Sequence, residues 1–422
     1  MPLNILIVAL GSHGDTHPFV ALGQTLQRRG HRVMLLANGV FESLVTSAGL
    51  SFVPLNTIDE YHALTQNPDL WHPSRGFSVI MNAAVFSARK QIELLGPRIE
   101  PGNTVVVGST IAFGARLARE KFNVPVAMVH LAPAIIRSID APPVFGGLPL
   151  PRNAPRWLKR FVFAAIDKLI VNRTVMPPLN AFTAEIGLPR IDADFLQWIH
   201  SPDLTLGLWP AWFGPPQGDW PPSLRLTGFP LYDERDVAPD MDAVEKFLAA
   251  GTPPVLFTPG SAMRFGQSFF AAAVTACSRL GRRAILLTRF KEQIPPSLPD
   301  GVIHVDYVPF SLILPRAAAL VHHGGIGTMS QALAAGTPQI VMPMGHDQFD
   351  NADRAQRLGV SQTVPGPRFG VKSLTKALKL ILDNPAVADS AHGVAERFKN
   401  HNPLEESAVA IESLAMRGAN TI

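Results

Sequence analysis

Short apolar runs alternate with helical stripes through the first part of the chain. Residues 4–10, NILIVAL, form a continuous apolar run with β-branched side chains that stops at Gly11, which is typical of a strand buried in a parallel sheet. A helix is predicted next, with Pro18 in its first turn and Gly30 at its end. The same alternation predicts three further strands, over residues 31–38, 104–108 and 124–129, and one helix over residues 111–122.

The alternation restarts after a Pro-rich stretch. Beyond it, we predict strands over residues 254–260, 283–288, 318–325 and 338–343, and a last helix over residues 404–415. This order predicts two Rossmann-like, doubly wound α/β domains that face each other across a cleft. We predict a first domain over residues 1–215, a Pro-rich linker over residues 216–230 and a second domain over residues 231–398. Residues 399–422 are predicted to form a C-terminal helix that packs back on the first domain.

The composition narrows the class of protein. With 47% hydrophobic and 17% charged residues, a chain of 422 residues can build large cores, which excludes a disordered protein or a coiled coil. A net charge of +4 is too small for a nucleic-acid binder, which needs a concentrated basic face. The single cysteine, Cys277, excludes disulfides and cysteine-based metal sites. Since no apolar run reaches 18 residues and no signal peptide is recognisable, we expect a cytoplasmic protein.

The strongest local signal for chemistry is a loop that follows a predicted strand and opens a helix. The loop holds two histidines, three glycines and a threonine: His322, His323, Gly324, Gly325, Gly327 and Thr328. Glycines let a backbone approach a ligand closely, and the free N–H groups at a helix start favour an anion. The second histidine can donate a hydrogen bond to a phosphate oxygen. The alternative is a tight turn with an incidental histidine pair, because a Gly-rich loop alone is weak evidence.

A second polar set follows the next predicted strand. It consists of one acid and two amides: Asp347, Gln348 and Asn351. A carboxylate accepts hydrogen bonds while amides both donate and accept, which matches the many hydroxyls of a sugar. An ordinary cap for a helix that starts near Phe349 explains Asp347 equally well.

The third set lies after the first strand, in the sequence GSHGDTHP over residues 11–18. Asp15, preceded by Gly14, stands at the carboxyl end of a strand, where a general base is expected. A helix N-terminal cap is the alternative for Asp15. For His13 and His17, a partly exposed loop histidine is the simpler interpretation.

The residues that a metal site, a nucleophile elbow, a P-loop or a dinucleotide-binding loop would need are missing from the sequence or poorly placed in it. The Asp-x-Asp sequences at 192–194 and 240–242 end no clear strand, so no metal site is expected. A G-x-S-x-G nucleophile elbow and a P-loop are absent. A dinucleotide-binding loop would need a third glycine after Gly14 and an acid at the end of the second strand, where Asn38 stands instead.

In order and spacing, these loops resemble those of the GT-B glycosyltransferases of the UDP-glycosyltransferase, sterol glucosyltransferase and glycopeptide glycosyltransferase group. The resemblance covers nearly the whole chain. It implies that residues 1–215 bind the acceptor and supply Asp15 as general base, and that residues 231–398 bind a nucleotide-sugar donor. The donor residues that it implies are Gly14, Gly260, Ser261, Tyr307, Val308, His322, His323, Gly324, Gly325, Gly327, Thr328, Asp347, Gln348 and Asn351.

The mechanism that this resemblance implies is a single inverting displacement without a metal. Asp15 would take the acceptor proton while the acceptor oxygen attacks the anomeric carbon. The amides of the glycine-rich loop and His323 would stabilise the leaving diphosphate, and Asp347 with Gln348 would hold the sugar. Tyr307 and Val308 fall where the group places an aromatic-x-Pro that stacks on the nucleotide base.

Longer segments, over residues 197–222, 227–231 and 346–352, are similar to the rhamnosyltransferase subunit of bacterial rhamnolipid biosynthesis. This similarity implies a dTDP-L-rhamnose donor, an acceptor of the 3-hydroxyalkanoate type and a lipid-synthesising partner protein, with no cofactor besides the nucleotide sugar. That family has Pro at the position of His323. The sterol and glycopeptide members have a histidine pair there, as this chain does. A UDP-glucose-dependent glucosyltransferase of sterols or small natural products is therefore the alternative. A sugar-nucleotide epimerase and a catalytically silent binding subunit are more distant ones.

Residues 152–173 combine six basic residues with one acid, Asp167, and many apolar residues. Helical spacing predicts an apolar face flanked by the basic residues, as in segments that lie on anionic membranes. A domain-core helix with a solvated rim is the alternative. From this segment and the resemblance we expect a hydrophobic acceptor and a peripheral contact with the inner face of the plasma membrane.

Overall fold

The structure, a computed structural model, describes residues 2–72, 75–146, 150–234 and 241–418. The chain divides into two compact units. The first contains Met1–Pro230 and Asn402–Ile422, and the second contains Leu231–His401.

The first unit is built on a seven-stranded parallel sheet. Its strands are β1 (Asn4–Ala9), β2 (Arg32–Asn38), β3 (Ser51–Asn56), β4 (Thr104–Ser109), β5 (Val126–His130), β6 (Leu204–Gly207) and β7 (Leu224–Leu226). Their order across the sheet is β3-β2-β1-β4-β5-β6-β7. The order reverses between β1 and β4, and the carboxyl ends of strands at such a switch point are where open α/β sheets bind ligands. The loop after β1 therefore lies at the expected ligand-binding edge.

Helices cover the sheet of the first unit. They are α1 (His13–Arg28), α2 (Glu42–Ser47), α3 (Ile58–Thr65), α4 (Gly76–Leu95), α5 (Phe113–Phe122), α6 (Arg156–Ile166), α7 (Asn172–Glu185), α8 (Phe195–Trp198) and, from the chain's C-terminal part, α16 (Pro403–Gly418). A π-helical turn, Asp167–Val171, joins α6 to α7. The guanidinium of Arg29, at the end of α1, binds Glu412 of α16 with a nitrogen–oxygen distance of 2.7 Å, which ties the C-terminal helix to this unit.

The structure differs from the Pro-rich linker expected over residues 216–230. Leu224–Leu226 form β7, an edge strand that pairs with β6. Thr227 shares a 2.8 Å hydrogen bond with Ser407 of α16. The prolines lie in the turns around this edge strand, where a missing N–H group costs no sheet hydrogen bond.

The second unit is built on a six-stranded parallel sheet. Its strands are β8 (Val255–Thr258), β9 (Ala284–Leu287), β10 (Val302–Val305), β11 (Ala319–His322), β12 (Gln339–Val341) and β13 (Ser361–Thr363), in the order β10-β9-β8-β11-β12-β13. Its helices are α9 (Asp242–Ala249), α10 (Gln267–Arg279), α11 (Phe310–Ile313), α12 (Ile326–Ala334), α13 (Gln348–Arg357), α14 (Val371–Leu382) and α15 (Pro385–Ala395).

Both faces of the second sheet are buried. Val255 and Phe257 of β8 pack with α10 and α14 in one apolar cluster, while Leu256 packs with α9 in another. Alternate residues of one strand therefore feed two cores, which explains why the strand reads as a continuous apolar run. Two parallel sheets flanked by helices confirm the predicted fold class. Among the described residues, none of the helices has the length and hydropathy needed to cross a membrane.

Candidate active site

Asp15 lies in the first turn of a helix rather than in a loop. Helix α1 begins at His13 with Ser12 as its N-cap, so Pro18 lies in its second turn and not in its first. The Oδ2 atom of Asp15 accepts hydrogen bonds from the backbone N–H of Ser12 at 2.7 Å and from its hydroxyl at 2.9 Å. Asp15 therefore supports the helix start, as the capping alternative expected, although Ser12 and not Asp15 is the cap residue.

The backbone around Asp15 is shaped to hold the carboxylate. Gly11 has a φ of +130°, and a Cβ atom there would lie 2.4 Å from Oδ2 of Asp15. The carbonyl of Gly11 accepts a 2.9 Å hydrogen bond from the amide of Asn38, at the end of β2. Burial raises the pKa of the Asp15 carboxyl above its ordinary value, against the two hydrogen bonds from Ser12. A carboxylate with a raised pKa is a stronger proton acceptor, as a general base requires.

The other candidate residues in the first two turns of α1 lie in environments that differ from that of Asp15. The ring of His13 meets the ring of Phe41 edge-on at 4.8 Å and that of His17 at 5.7 Å. Gly14 is exposed. His13 is half-exposed, as its simpler interpretation expects, but it is the first residue of α1 rather than part of a loop.

His322 is a structural residue of the glycine-rich loop. Its ring is fully buried at the end of β11. The Nδ1 atom accepts the backbone N–H of Gly324 at 3.2 Å, so the proton is on Nε2, which lies 3.0 Å from the side-chain oxygen of Gln339. Burial lowers the pKa of His322 to about 3, so the ring is neutral. Both ring nitrogens are occupied within the protein, and the expected contact of His322 with a donor is not supported by this geometry.

His323 sits in a slot between two glycines. A Cβ atom at Gly260 would lie 2.8 Å from its ring, and a Cβ atom at Gly325 would lie 2.4 Å from its Nε2 atom. The Nδ1 atom is buried and has no hydrogen-bond partner among the described residues. Burial lowers the pKa of His323 to about 4, so the ring is neutral near pH 7. An orphaned buried nitrogen is costly unless a ligand completes its hydrogen bonding.

Helix α12 begins at Ile326, three residues after His323, with Gly325 as its N-cap. The first backbone hydrogen bond back to this cap comes from Met329. The N–H groups before it, including those of Gly327 and Thr328, have no partner within the helix, and they carry the positive end of its dipole. An anion next to His323 would meet this helix end.

The polar set of α13 is bound to the same loop. Asn351 donates from Nδ2 to the carbonyl of Gly324 at 3.0 Å and to Oδ2 of Asp347 at 2.7 Å. The Oδ1 atom of Asn351 is buried without a partner in the described part of the chain. Gln348 is 4% exposed, and its Oε1 atom accepts the backbone N–H groups of Met344 and Gly345 at 2.8 and 3.1 Å. The side-chain oxygen of Gln348 therefore stabilises the loop that precedes α13.

The loop after β8 brings Gly260 and Ser261 to this region. Gly260 has a φ of +101° and closes one side of the His323 slot. Gln293, which is 1% exposed, donates to the carbonyl of Met263 at 2.8 Å and braces the loop. Ser261 is exposed. Gln293 was not recognisable in the sequence, because its contact spans 30 residues and no motif surrounds it.

Tyr307 and Val308 occupy different environments. The Tyr307 hydroxyl accepts the backbone N–H of Glu234 at 3.1 Å, and burial raises its pKa to about 12. The Arg289 guanidinium lies over the Tyr307 ring at 5.4 Å. Val308 is 3% exposed and packs in the apolar core beside α11, so its side chain is not available to a ligand.

No group of three histidine, cysteine, aspartate or glutamate side chains suited to a metal ion occurs in the described parts of the chain. Of the Asp-x-Asp residues, Asp194 accepts a 2.7 Å hydrogen bond from Asn172 and Asp242 starts α9. Asp240 lies outside the described residues.

Two family models match the chain, one in its N-terminal part and one in its C-terminal part. Residues 5–138 match the N-terminal domain of glycosyltransferase family 28. Residues 284–413 match the C-terminal domain of the erythromycin biosynthesis protein CIII-like family. The first match contains Asp15, and the second contains the His323 loop and α13.

Among curated proteins, the O-mycaminosyltylonolide 6-deoxyallosyltransferase of Streptomyces fradiae is 28% identical over 98% of both chains. The 4'-demethylrebeccamycin synthase of Lentzea aerocolonigenes is 24% identical over 98% of this chain and all of its own. A sterol 3-beta-glucosyltransferase of Debaryomyces hansenii is 26% identical over 97% of this chain, which corresponds to 26% of the larger relative.

Solved structures share this fold over nearly the full length of the chain. The glycotransferase of kitacinnamycin superposes with a TM-score of 0.75 at 22% identity, covering 98% of this chain and all of the other. The spinosyn rhamnosyltransferase SpnG, complexed with thymidine diphosphate, gives a TM-score of 0.68 at 17% identity, with coverage of 98% and 100%.

Proposed function

We propose a donor, an acceptor and a mechanism for this chain, which is a glycosyltransferase of the GT-B fold that takes its sugar from a nucleotide sugar. The proposed donor is dTDP-L-rhamnose, and the proposed acceptor is a hydroxyl of a hydrophobic, lipid-like molecule of the 3-hydroxyalkanoate type. The observation that carries the donor site is the unsatisfied Nδ1 atom of His323 beside the start of α12.

Complementary chemistry supports a diphosphate site at His323. A neutral imidazole whose Nδ1 carries the proton donates one hydrogen bond to a phosphate oxygen. The unpaired N–H groups at the start of α12 donate further bonds, and the helix dipole favours the negative charge. These donors are fixed before the reaction, so they stabilise the charge that develops as the diphosphate leaves. Such a site does the electrostatic work for which other enzymes use a metal ion.

Asp347 and Asn351 are the proposed contacts of the donor sugar. The buried Oδ1 atom of Asn351 needs a donor, which a sugar hydroxyl supplies. Asn351 also connects Asp347 to the carbonyl of Gly324. A hydroxyl bound here is therefore linked through one side chain to the loop that holds the diphosphate.

The proposed base is Asp15. Its Oδ2 atom is held by Ser12, which fixes the carboxylate plane. The remaining oxygen would take the acceptor proton as the C–O bond forms, because an acceptor hydroxyl is too weak an acid to ionise first. Attack on the face opposite the leaving diphosphate inverts the anomeric centre.

Relatives support a deoxysugar on a thymidine nucleotide. A 6-deoxyallosyltransferase is similar over the whole chain, and structural neighbours were solved with thymidine diphosphate. Other relatives favour the second candidate, transfer of glucose from UDP-glucose to a sterol or a small natural product. A sterol acceptor, like the proposed lipid, would be hydrophobic. We also infer a cytoplasmic location, a peripheral contact with a membrane and a lipid-synthesising partner protein, which accord with such an acceptor.

The test is a matrix of donors and acceptors. The purified protein is incubated with dTDP-L-rhamnose or UDP-glucose, each with 3-hydroxy fatty acyl dimers, sterols or polyphenols, and products are identified by mass spectrometry. The proposal expects turnover with dTDP-L-rhamnose and the lipid. Turnover only with UDP-glucose and a sterol or polyphenol would replace it by the second candidate.

A further inference from the structure

Helix α6 exposes two of its three aromatic side chains, Trp157 and Phe161, and buries the third, Phe163. Phe163 is 2% exposed and Lys159 is 5% exposed, so these two face the domain. The Arg137 guanidinium lies 4.5 Å over the Phe163 ring and forms an ion pair with Asp167, which fixes the rotation of the helix about its axis. The opposite face is therefore held toward solvent.

Large apolar residues occupy that outer face. Trp157 and Phe161 of α6 are 70% and 69% exposed, and Leu169 and Ile170 of the π-helical turn are 63% and 53% exposed. A domain-core helix with a solvated rim would bury its large apolar side chains, whereas these four are exposed. Exposed apolar side chains that cluster on one segment mark an interaction surface.

Basic residues accompany the apolar ones. Arg160, Lys168 and Arg173 are exposed and form no ion pair with the described residues. The acid of the segment, Asp167, is engaged by Arg137 and does not offset their charge. Cationic and aromatic side chains on one outward helix face match the two layers of an anionic bilayer, its charged headgroups and the acyl boundary beneath them.

We propose that the outer face of residues 156–173 docks the enzyme on an anionic phospholipid membrane. Trp157 and Phe161 enter the boundary between headgroups and acyl chains, while Arg160, Lys168 and Arg173 bind lipid phosphates. This inference deepens the proposed membrane contact and is independent of which sugar the enzyme transfers. A neutral acceptor dissolved in water should therefore be turned over equally well without the surface.

The test is co-sedimentation of the full chain with vesicles of phosphatidylcholine alone or mixed with phosphatidylglycerol, at low and high salt. The wild type should bind only the anionic vesicles and should be released by salt. Arg160→Ala with Lys168→Ala should weaken binding about 30-fold, from about 1 kcal/mol for each basic residue near an anionic surface. Trp157→Ala with Phe161→Ala should weaken it at least about tenfold, because much apolar area stays in water.

A matched control changes the exposed pair Lys379 and Leu380 of α14 to alanine, since Leu380 is 50% exposed but belongs to the second unit. The control should bind like the wild type, and all variants should keep the wild-type circular dichroism spectrum and the turnover of a water-soluble acceptor. Absence of binding by the wild type, or equal loss in the control, would overturn the inference. So would dimerisation of the wild type, without vesicle binding, that Trp157→Ala abolishes, since a second copy would then cover this face. Loss of transfer with intact vesicle binding would contradict the proposed function but not the docking surface.

Discussion

Gly325→Ala tests whether the placement of the His323 ring matters for sugar transfer. The backbone of Gly325 has a φ of −60°, which alanine adopts without strain. The added Cβ atom would lie 2.4 Å from Nε2 of His323, which is about 1 Å inside van der Waals contact. The ring cannot retreat toward Gly260, because the slot is closed on that side as well. The substitution should therefore turn His323 out of its position while leaving its chemistry intact.

The expected loss is that of one donor to the departing diphosphate. Removing a single preorganised donor of this kind lowers kcat by about 10²–10³-fold, or roughly 3–4 kcal/mol. A neutral hydrogen bond to the bound donor contributes about 1 kcal/mol, so the KM for the nucleotide sugar should rise only about fivefold. We expect the larger effect in kcat.

The assay is a double-mutant cycle on the rate of nucleotide diphosphate release with acceptor present. Gly325→Ala and His323→Ala are measured singly and together. If the alanine acts by displacing the ring, the double variant should be no slower than His323→Ala, because the interaction is already lost. Gly345→Ala is the control, since a Cβ atom there meets nothing within 4 Å.

Two results would refute this reasoning. One is near-normal turnover of Gly325→Ala in a folded protein, which would mean that the position of His323 does not matter. The other is additive losses in the cycle, which would place the effect of the alanine elsewhere, for example on the helix cap. A thermal unfolding scan of each variant separates both from simple destabilisation.

Asp15→Asn should keep the fold, because the amide oxygen can still accept hydrogen bonds from Ser12, but it should lower turnover about 10²–10⁴-fold. Normal turnover of Asp15→Asn, together with a loss in His13→Ala, would assign the general base to His13 instead. Asp347→Ala should raise the donor KM or relax the choice of sugar more than it lowers kcat, which steady-state kinetics with two donors will measure. Activity should survive EDTA, and a complete loss restored only by Mg²⁺ or Mn²⁺ would contradict the metal-free site. Burial lowers the pKa of His200 and His323 to about 4 and that of His322 to about 3, so the free energy of unfolding should fall by up to roughly 1.4 kcal/mol per pH unit for each of them between about pH 6.5 and pH 4, where only the unfolded histidines take up protons. His130, whose pKa burial also lowers, should add to this fall, which urea unfolding at pH 7.5, 6 and 5 measures.

All central strands except the four-residue β6 could be predicted from the sequence, and none of the four edge strands could. A strand buried on both faces, such as β1 or β8, is a continuous apolar run that needs no context. The missed edge strands β3, β7, β10 and β13 are short or contain polar residues, and Pro54 lies inside β3. Such strands are specified by the neighbour with which they pair, which local patterns do not contain. For the same reason, composition alone predicts a linker where the Pro-rich stretch contains β7.

The candidate site was predictable where chemistry depends on local spacing. Glycine and histidine spacing indicated the loop of residues 322–328, and the structure shows why one of its glycines is needed, since Gly325 leaves room for the His323 ring. The different fates of His322 and His323 were not predictable, because they depend on Gln339 and on Gly260, which are distant in sequence. For α6, spacing predicted an amphipathic helix but not which face is exposed, because the rotation is set by Arg137.

The most direct test of the account is the stoichiometry of one reaction followed by two detectors. Purified wild-type protein is incubated with dTDP-L-rhamnose, with and without a 3-hydroxy fatty acyl dimer. Released dTDP is quantified by chromatography, and glycosylated lipid is quantified by mass spectrometry. The account predicts one dTDP for each glycosylated lipid, negligible release without lipid, and loss of both signals in Asp15→Asn. Release of dTDP that is equal with and without acceptor, or lipid glycosylation that persists in Asp15→Asn, would contradict it.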